Sequence, residues 1–71
     1  MTRELILQKF GENLKRMREN KGLTQEAVAY NSGLSRSYYT EVELGRRNPS
    51  LINLTKLAAA LQVTVSDLLN Y

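Results

Sequence analysis

Apolar residues recur along the chain at the three- and four-residue spacing of amphipathic α-helices, and no segment sustains the alternation that is typical of a strand. Two apolar stripes stand out. The first predicts a helix at residues 3–20 and consists of Leu7, Phe10, Leu14 and Met17. The second predicts a helix at residues 51–61 and consists of Leu51, Leu54, Leu57, Ala58 and Leu61. We expect both stripes to face one common core.

Capping residues complete the set of helices. Hydroxyl side chains suited to N-caps stand at Thr24, Ser35, Ser50 and Thr64. They predict helices that start after residues 24 and 35 and end near residues 31 and 44, and a last short helix in which Asp67 completes a capping box. Glycines follow the ends of the first three helices, at Gly22, Gly33 and Gly45. The predicted fold is all-α, a single five-helix domain over residues 1–71.

The second and third helices are about eight residues long and are joined by a very short turn that contains Gly33. Two short helices connected in this way are typical of a helix-turn-helix, here over about residues 24–43. Ala29 is small enough to let the second helix approach the third closely, and Leu34 supplies an apolar contact in the turn.

The third helix separates into two faces when its residues are placed at about 100° intervals. Tyr39 and Val42 face the core, and Glu43 lies at the edge of that side. The opposite side, called the outward arc below, consists of Arg36, Ser37, Thr40, Glu41 and Leu44. A guanidinium group binds guanine O6 and N7, a carboxylate accepts from cytosine N4, and a threonine methyl contacts a thymine methyl. An ordinary solvated face is the alternative, but the preceding turn favours DNA recognition.

Composition narrows the possible functions. The chain contains neither cysteine nor histidine, which excludes disulfides, zinc sites of the usual kind, and Ser-His-Asp or Cys-His catalysis. We therefore expect no enzyme, no metal, no cofactor and no small-molecule ligand. No apolar run approaches the ~18 residues that span a bilayer, and the N-terminal residues do not form a signal peptide. These features predict a cytoplasmic protein that does not contact membranes.

Charge is distributed unevenly along a chain whose net charge is +3. Residues 1–21 contain six basic and three acidic side chains, whereas residues 48–71 contain only Lys56 and Asp67. This asymmetry suits a protein with one side facing phosphates and another that self-associates. A solvated basic face explains the charges equally well.

Several short segments together resemble the phage-repressor and Cro-like helix-turn-helix family, also called the XRE family. They are residues 14–18, 21–25, 28–29, 32–35, 42–43, 45–46, 48–51, 57–58 and 60–61. The resemblance spans about residues 9–69 and implies a compact lambda-repressor-like DNA-binding domain. Two positions depart from the family pattern. Tyr39 replaces a common aliphatic core residue, and Leu44 stands where a polar residue is usual.

The resemblance also implies residue roles. Base contacts are expected from Ser35, Arg36, Ser37, Thr40 and Glu41. Phosphate contacts are expected from Arg18, Gln25, Tyr38, Arg46, Arg47 and Asn48. Gln25 is also expected to brace the start of the third helix, while Tyr38 fits a partly buried aromatic as well as a phosphate contact. Arg18 and Glu43 match a family pair that forms a partly buried ion pair, so Glu43 is expected to be structural.

Within the family, further segments resemble the controller proteins of restriction–modification systems, which are small dimers that time the expression of a restriction gene. They are residues 37–38, 42–43, 47–48, 50–51, 53–54 and 56–58. A two-fold dimer places two recognition helices about 34 Å apart on a pseudo-palindromic operator. We expect dimerisation through about residues 50–71, with an interface at Ile52, Ala59, Val63 and Val65. Completion of the core is the alternative role for these four.

These features predict a homodimeric, sequence-specific transcriptional regulator that binds double-stranded DNA without performing chemistry. Acidic residues at Glu12, Glu19 and Glu26 are candidates for a contact with RNA polymerase. The competing hypothesis is a protein-interaction module of the same fold, such as an antitoxin or an anti-regulator partner.

Overall fold

Five α-helices and their short connections account for residues 1–71 in the computed structural model. The helices are α1 (Arg3–Asn20), α2 (Gln25–Ser32), α3 (Arg36–Glu43), α4 (Leu51–Leu61) and α5 (Val65–Leu68). The predicted all-α fold with five helices is confirmed. The predicted ends differ by one residue in two places, because α2 continues through Ser32 and α3 ends at Glu43.

Each helix begins where a hydroxyl side chain accepts a hydrogen bond from a backbone N–H that has no partner within the helix. The five capping residues are Thr2, Thr24, Ser35, Ser50 and Thr64. At α5 the cap is reciprocal, since the Asp67 N–H donates to Thr64 Oγ1 and the Thr64 N–H donates to Asp67 Oδ2, both at 3.0 Å. Local sequence therefore determines where the helices start.

The turn between α2 and α3 depends on Gly33, whose φ of 72° lies in the left-handed region. Its N–H donates to the Tyr30 carbonyl, and the next N–H, from Leu34, donates to the Ala29 carbonyl at 3.0 Å. Helix α4 ends on a similar conformation at Gln62, with φ of 57°. The sequence does not mark this second position, because a left-handed residue is normally glycine or asparagine.

The core lies between the helices and consists of ten buried apolar side chains. They are Phe10, Leu14, Val28, Ala29, Tyr39, Val42, Leu57, Ala58, Leu61 and Leu68. One stripe residue was assigned wrongly: Leu51 is 73% exposed. It lies in the first turn of α4 and at the edge of the stripe, so the face that buries Leu57, Ala58 and Leu61 turns it toward solvent.

The helices α1 and α3 touch backbone to backbone at Gly11. A Cβ atom at this position would lie 2.3 Å from the Glu43 carbonyl oxygen and 2.8 Å from that of Val42. Only glycine allows this approach, which brings the end of α3 against α1. The hydrophobic pattern of α1 did not predict it, because the requirement comes from the partner helix.

The last helix is held by a buried side chain of α1. Asn13 is 3% exposed, and its Nδ2 donates to the carbonyls of Leu68 at 2.9 Å and Asp67 at 3.3 Å. The Leu68 carbonyl lies at the end of α5, where carbonyls lack donors within the helix, and the Asp67 carbonyl also accepts from the Asn70 N–H at 3.2 Å. Asn13 therefore joins the first helix to the last one.

Replacing Gly11 tests the contact between α1 and α3. We expect Gly11→Ala to lower the free energy of unfolding by about 1–3 kcal/mol or more, because the added methyl meets backbone atoms that cannot rotate away. Urea denaturation followed by circular dichroism measures this. The matched control is Lys15→Ala at an exposed position of α1, expected to change stability by less than about 0.5 kcal/mol. Equal effects of the two substitutions would contradict the proposed close approach.

Candidate nucleic-acid interface

A buried carboxylate at the end of α3 lies beneath the outward arc and is the centre of a hydrogen-bond network. Glu43 is 7% exposed. Its Oε2 accepts from Arg18 Nε and from the Tyr39 hydroxyl, both at 2.6 Å. Its Oε1 accepts from Arg18 Nη2 at 3.2 Å and from Gln25 Nε2 at 2.9 Å. Four donors thus use the roughly four acceptor positions that a carboxylate offers.

Arg18 supplies the counter-charge from α1. Besides its two bonds to Glu43, its Nη1 donates to the Leu23 carbonyl at 2.8 Å, and the residue is 9% exposed. The hydrogen bond with Glu43 raises the pKa of the guanidinium. The expected ion pair between α1 and α3 is therefore formed, and the bonds of Arg18 point into the protein.

The ionisation of Glu43 results from opposing effects. Burial alone would raise the pKa of this carboxyl, but the hydrogen bonds from Arg18, Tyr39 and Gln25 and the Arg18 charge outweigh it, so its pKa lies below the usual value. Burial and the hydrogen bond to Glu43 also raise the pKa of the Tyr39 hydroxyl, which stays protonated and donates. The network therefore contains a carboxylate that can only accept.

Tyr39 explains its own departure from the family pattern. The ring fills a core position with no exposed surface, as an aliphatic residue would. The hydroxyl reaches Glu43 one turn later and satisfies an acceptor position that an aliphatic side chain would leave open. The sequence identified the substitution but not this bond, because the bond requires the position of a neighbouring side chain on the same helix.

The network continues from Glu43 to the outward arc. Gln25, the first residue of α2, donates through Nε2 to Glu43 and accepts through Oε1 from the Thr40 hydroxyl at 3.0 Å. Gln25 therefore connects the start of α2 with the middle of α3. Gln25 was predicted to brace the start of α3, whereas its bonds here reach the middle and the end of that helix; its phosphate contact stays a prediction.

The first turn of α3 presents its polar side chains to solvent. Arg36 and Ser37 are exposed, and Ser35 is exposed while it caps the helix. Arg36 Nη1 lies 3.5 Å from Glu26 Oε2, with both side chains mostly exposed. Exposed ion pairs of this kind contribute ~0–1 kcal/mol, so Arg36 can leave Glu26 for another acceptor.

The loop after α3 folds back onto the helix. Arg47 Nε donates to Glu41 Oε1 at 3.2 Å, and its guanidinium carbon lies 5.9 Å from the centre of the Tyr38 ring. The Tyr38 hydroxyl in turn accepts from Asn53 Nδ2 on α4 at 3.1 Å. Tyr38 is partly buried, as one of its two alternatives predicted, and its phosphate contact stays a prediction.

Arg46 and Asn48 complete the exposed part of this loop, on either side of Arg47. Asn53 was not among the predicted site residues. Its signal in the sequence was its place in the first turn of α4, three residues after the Ser50 cap, which brings it toward the preceding loop. Four of the six predicted phosphate-binding residues thus lie in or beside one loop-centred group, and Arg18 lies apart from them in the interior.

A second surface lies on α4. Ile52 is 68% exposed and Ala59 is exposed, whereas Val63 and Val65 are partly buried and pack against the core. The exposed Leu51 adds to the apolar area at the start of the helix. The four predicted interface residues therefore divide into two exposed ones and two that also serve the core.

No group of three or more potential metal-binding side chains is assembled, and no helix has the length and apolar character needed to cross a membrane.

The family profile described as Helix-turn-helix (HTH_3) matches residues 14–68. This chain belongs to the helix-turn-helix family. The matched region covers α2, α3 and the whole Glu43 network, and it confirms the resemblance inferred from the short segments. The relatives named below are regulators and control proteins rather than enzymes, in agreement with the expectation that the chain has no catalytic activity.

Relatives within the family include control proteins. The control protein C.MunI of Mycoplasma sp is 46% identical over 61 residues, which are 84% of this chain and 82% of that protein. The uncharacterized HTH-type transcriptional regulator y4dJ of Sinorhizobium fredii is 50% identical over 58 residues, 82% of this chain and 75% of that protein.

A solved structure shows the same arrangement of helices. The restriction-modification controller protein C.AhdI from Aeromonas hydrophila superposes with a TM-score of 0.86 and 52% identity. The match covers 87% of this chain and 94% of that chain, so nearly the whole controller structure has a counterpart here.

The Glu43 network predicts a pH dependence of stability. Because the pKa of Glu43 is lower in the folded protein than in the unfolded chain, its contribution is complete above the unfolded value of about 4.3 and is lost as the pH falls through the folded value. We expect Glu43→Gln to remove this part of the acid dependence and to lower stability at neutral pH. Urea denaturation of both proteins between pH 3 and pH 7 measures the difference, and parallel curves would contradict it.

Proposed function

We propose that this helix-turn-helix protein is a homodimeric, sequence-specific DNA-binding regulator that works in the cytoplasm as a controller of a restriction–modification system. The observation that carries the proposal is the Glu43 network. It holds α3 against α1 and α2, while Arg36 and Ser37 of the outward arc remain exposed and the Thr40 hydroxyl keeps its lone pairs after donating to Gln25. A fixed helix whose first turn presents exposed polar side chains is what insertion into a major groove requires.

Base recognition is assigned to the exposed start and middle of α3. Arg36 lies in the first turn, where the N-terminal residues of a recognition helix meet base edges, and its ion pair with Glu26 is weak. The other assigned residues are Ser35, Ser37, Thr40 and Glu41. Leu44, which is exposed beyond the end of α3, fits an apolar contact with sugar or with a partner.

Phosphate binding is assigned to one residue within α3 and to residues on the segments before and after this helix. They are Gln25, Tyr38, Arg46, Arg47 and Asn48. Phosphate contacts set the register of the protein on DNA and carry no sequence information themselves. Arg18 belongs to a different group, because its inward bonds suit an effect on DNA through the position of α3 rather than through a phosphate.

Dimerisation is assigned to α4 and the segment that follows it, within residues 50–71. Ile52 and Ala59 supply exposed apolar surface, with Val63 and Val65 at its border. One copy of α3 contacts too few base pairs for discrimination, whereas two copies bind a pseudo-palindrome.

The controller role is supported by similarity to C.MunI and C.AhdI over most of both chains. In this role the protein responds to its own concentration, through dimerisation and filling of the operator. For activation, we assign a contact with RNA polymerase to the exposed residues Glu12, Glu19 and Glu26. The family and these relatives favour a regulator over a protein-interaction module.

Gel-shift titration tests DNA binding. DNA from upstream of the chain's own gene and a scrambled sequence of equal length are compared between 50 and 200 mM salt, roughly the range over which phosphate contacts weaken strongly. We expect a specific shift that persists at physiological salt and a linear dependence of log affinity on log salt. Absence of a specific shift would refute the proposal.

Arg36→Ala tests base recognition by α3. We expect a loss of about 1–3 kcal/mol in binding that is concentrated at one base pair of each half-site, because a guanidinium that binds guanine discriminates by that amount. Binding to operators with single base changes measures it. Arg46→Ala is the control and should weaken all sequences about equally while reducing the salt slope. Uniform weakening by Arg36→Ala would move Arg36 to the phosphate-binding group.

Ile52→Glu tests the dimer surface. We expect this change to shift the protein toward monomer, because it places a charge in an apolar contact while leaving the fold intact at a position that is 68% exposed. Analytical ultracentrifugation measures the equilibrium. Tyr30→Glu is the control, since Tyr30 is 84% exposed on α2, outside the proposed interface. A dimer of unchanged affinity for the Ile52 variant would place the interface elsewhere.

A further inference from the structure

A directed chain of hydrogen bonds runs from the buried ion pair to the outward arc. It starts at Glu43, whose carboxylate is paired with Arg18 and also accepts from Tyr39. An ionised carboxylate has no proton to donate. The Gln25 side-chain nitrogen, which does carry protons, must therefore be the atom that faces Glu43, and it lies 2.9 Å from Oε1.

The orientation of Gln25 determines its other contact. The side-chain amide of Gln25 has a nitrogen that donates and an oxygen that accepts. Because Nε2 faces Glu43 at the end of α3, Oε1 faces the middle of that helix, where it lies 3.0 Å from Thr40 Oγ1. An amide oxygen can only accept. The single hydroxyl proton of Thr40 must therefore point at Gln25, and the direction of the bond follows from the charge on Glu43.

We infer that Thr40 acts only as a hydrogen-bond acceptor toward DNA, and that it selects adenine or cytosine at the base it contacts. Its proton is committed to Gln25, so its oxygen offers only lone pairs to the groove. In the major groove, adenine N6 and cytosine N4 donate, whereas thymine O4, guanine O6 and guanine N7 accept. The inference rests on the proposed function and assigns Thr40 a specificity that its residue type alone leaves open, because serine and threonine hydroxyls can serve either base type.

The neighbouring residues give this preference a context. Glu41, next along α3, is also an acceptor and is held by Arg47 Nε at 3.2 Å. Arg36, one turn before Thr40, carries only donors. Arg36, near the start of α3, therefore donates, Thr40 and Glu41 further along accept, and Ser37 can do either. The order of Arg36, Thr40 and Glu41 corresponds to a guanine followed by amino-bearing bases in each half-site.

Site selection from randomised DNA tests the inference with four proteins: the wild type, Thr40→Val, Thr40→Ser and Gln25→Leu. Valine matches threonine in shape but lacks the hydroxyl, and serine keeps it. Leucine removes the acceptor that holds the proton, so the freed hydroxyl can donate or accept. Arg46→Ala, in the loop after α3, is the control for uniform loss of affinity.

For the wild type we expect one position per half-site at which adenine or cytosine is favoured roughly tenfold, the effect of a hydrogen bond set against two facing acceptors. This preference should persist in Thr40→Ser, vanish in Thr40→Val, and relax to include thymine or guanine in Gln25→Leu. In the control the preference should remain although overall affinity falls. Replacing the selected base by purine or 2-pyrimidinone, which lack the amino group, should reproduce the loss for the wild type but not for Thr40→Val.

Two outcomes overturn the inference alone: a Thr40-dependent position that favours thymine or guanine, or a selected sequence that no Thr40 substitution alters. A wild-type protein that selects no sequence at all refutes the proposed function, and the inference with it. The failure of the inference and the failure of the proposed function are therefore distinguishable in one experiment.

Discussion

The buried carboxylate of Glu43 is the constraint on which the position of α3 depends. A charge at this depth is tolerated only where its acceptor positions are filled, and the donors that fill them come from α1, α2 and α3 itself. Leaving one partner of such a pair unmatched typically costs ~3–5 kcal/mol. The three helices are therefore joined at one point by a requirement that apolar packing alone would not impose.

Close packing and the polar network act together at the same end of α3. Gly11 lets the backbone of α1 approach the Glu43 carbonyl, and the Glu43 side chain then reaches Arg18 two turns further along α1. Tyr39 and Val42, on the same helix, belong to the buried core. Orientation of the outward arc thus follows from the closely packed inner face of a helix of only eight residues.

Much of this arrangement could be predicted because it is local. The hydroxyl caps and the glycine turn specify where helices start and stop, and a 3.6-residue period specifies which side is buried. The ion pair could be predicted because Arg18 and Glu43 matched a family pattern. Prediction failed where a residue's role depends on a distant neighbour. Gly11 is required by the backbone of α3, and Asn13 by the carbonyls of α5.

The candidate site shows the same limit. Residue types on α3 indicated which side chains face outward, but the bond from Tyr39 to Glu43 and the link from Asn53 to Tyr38 require three-dimensional positions. Leu51 was assigned to the core because it fits the period, although a residue in the first turn of α4 at the edge of the stripe is only weakly covered. Periodicity describes the direction of a side chain and not what lies opposite it.

The bond between Asn53 and the Tyr38 hydroxyl has a mechanical consequence. Asn53 follows Ile52 on α4, and the 3.1 Å contact joins that helix to the opening turns of α3. If two copies meet through α4, a rotation of one α4 helix against the other also changes the distance and the angle between the two copies of α3. The spacing between operator half-sites is then determined by α4 and the dimer interface, while the base sequence within each half-site is recognised by α3.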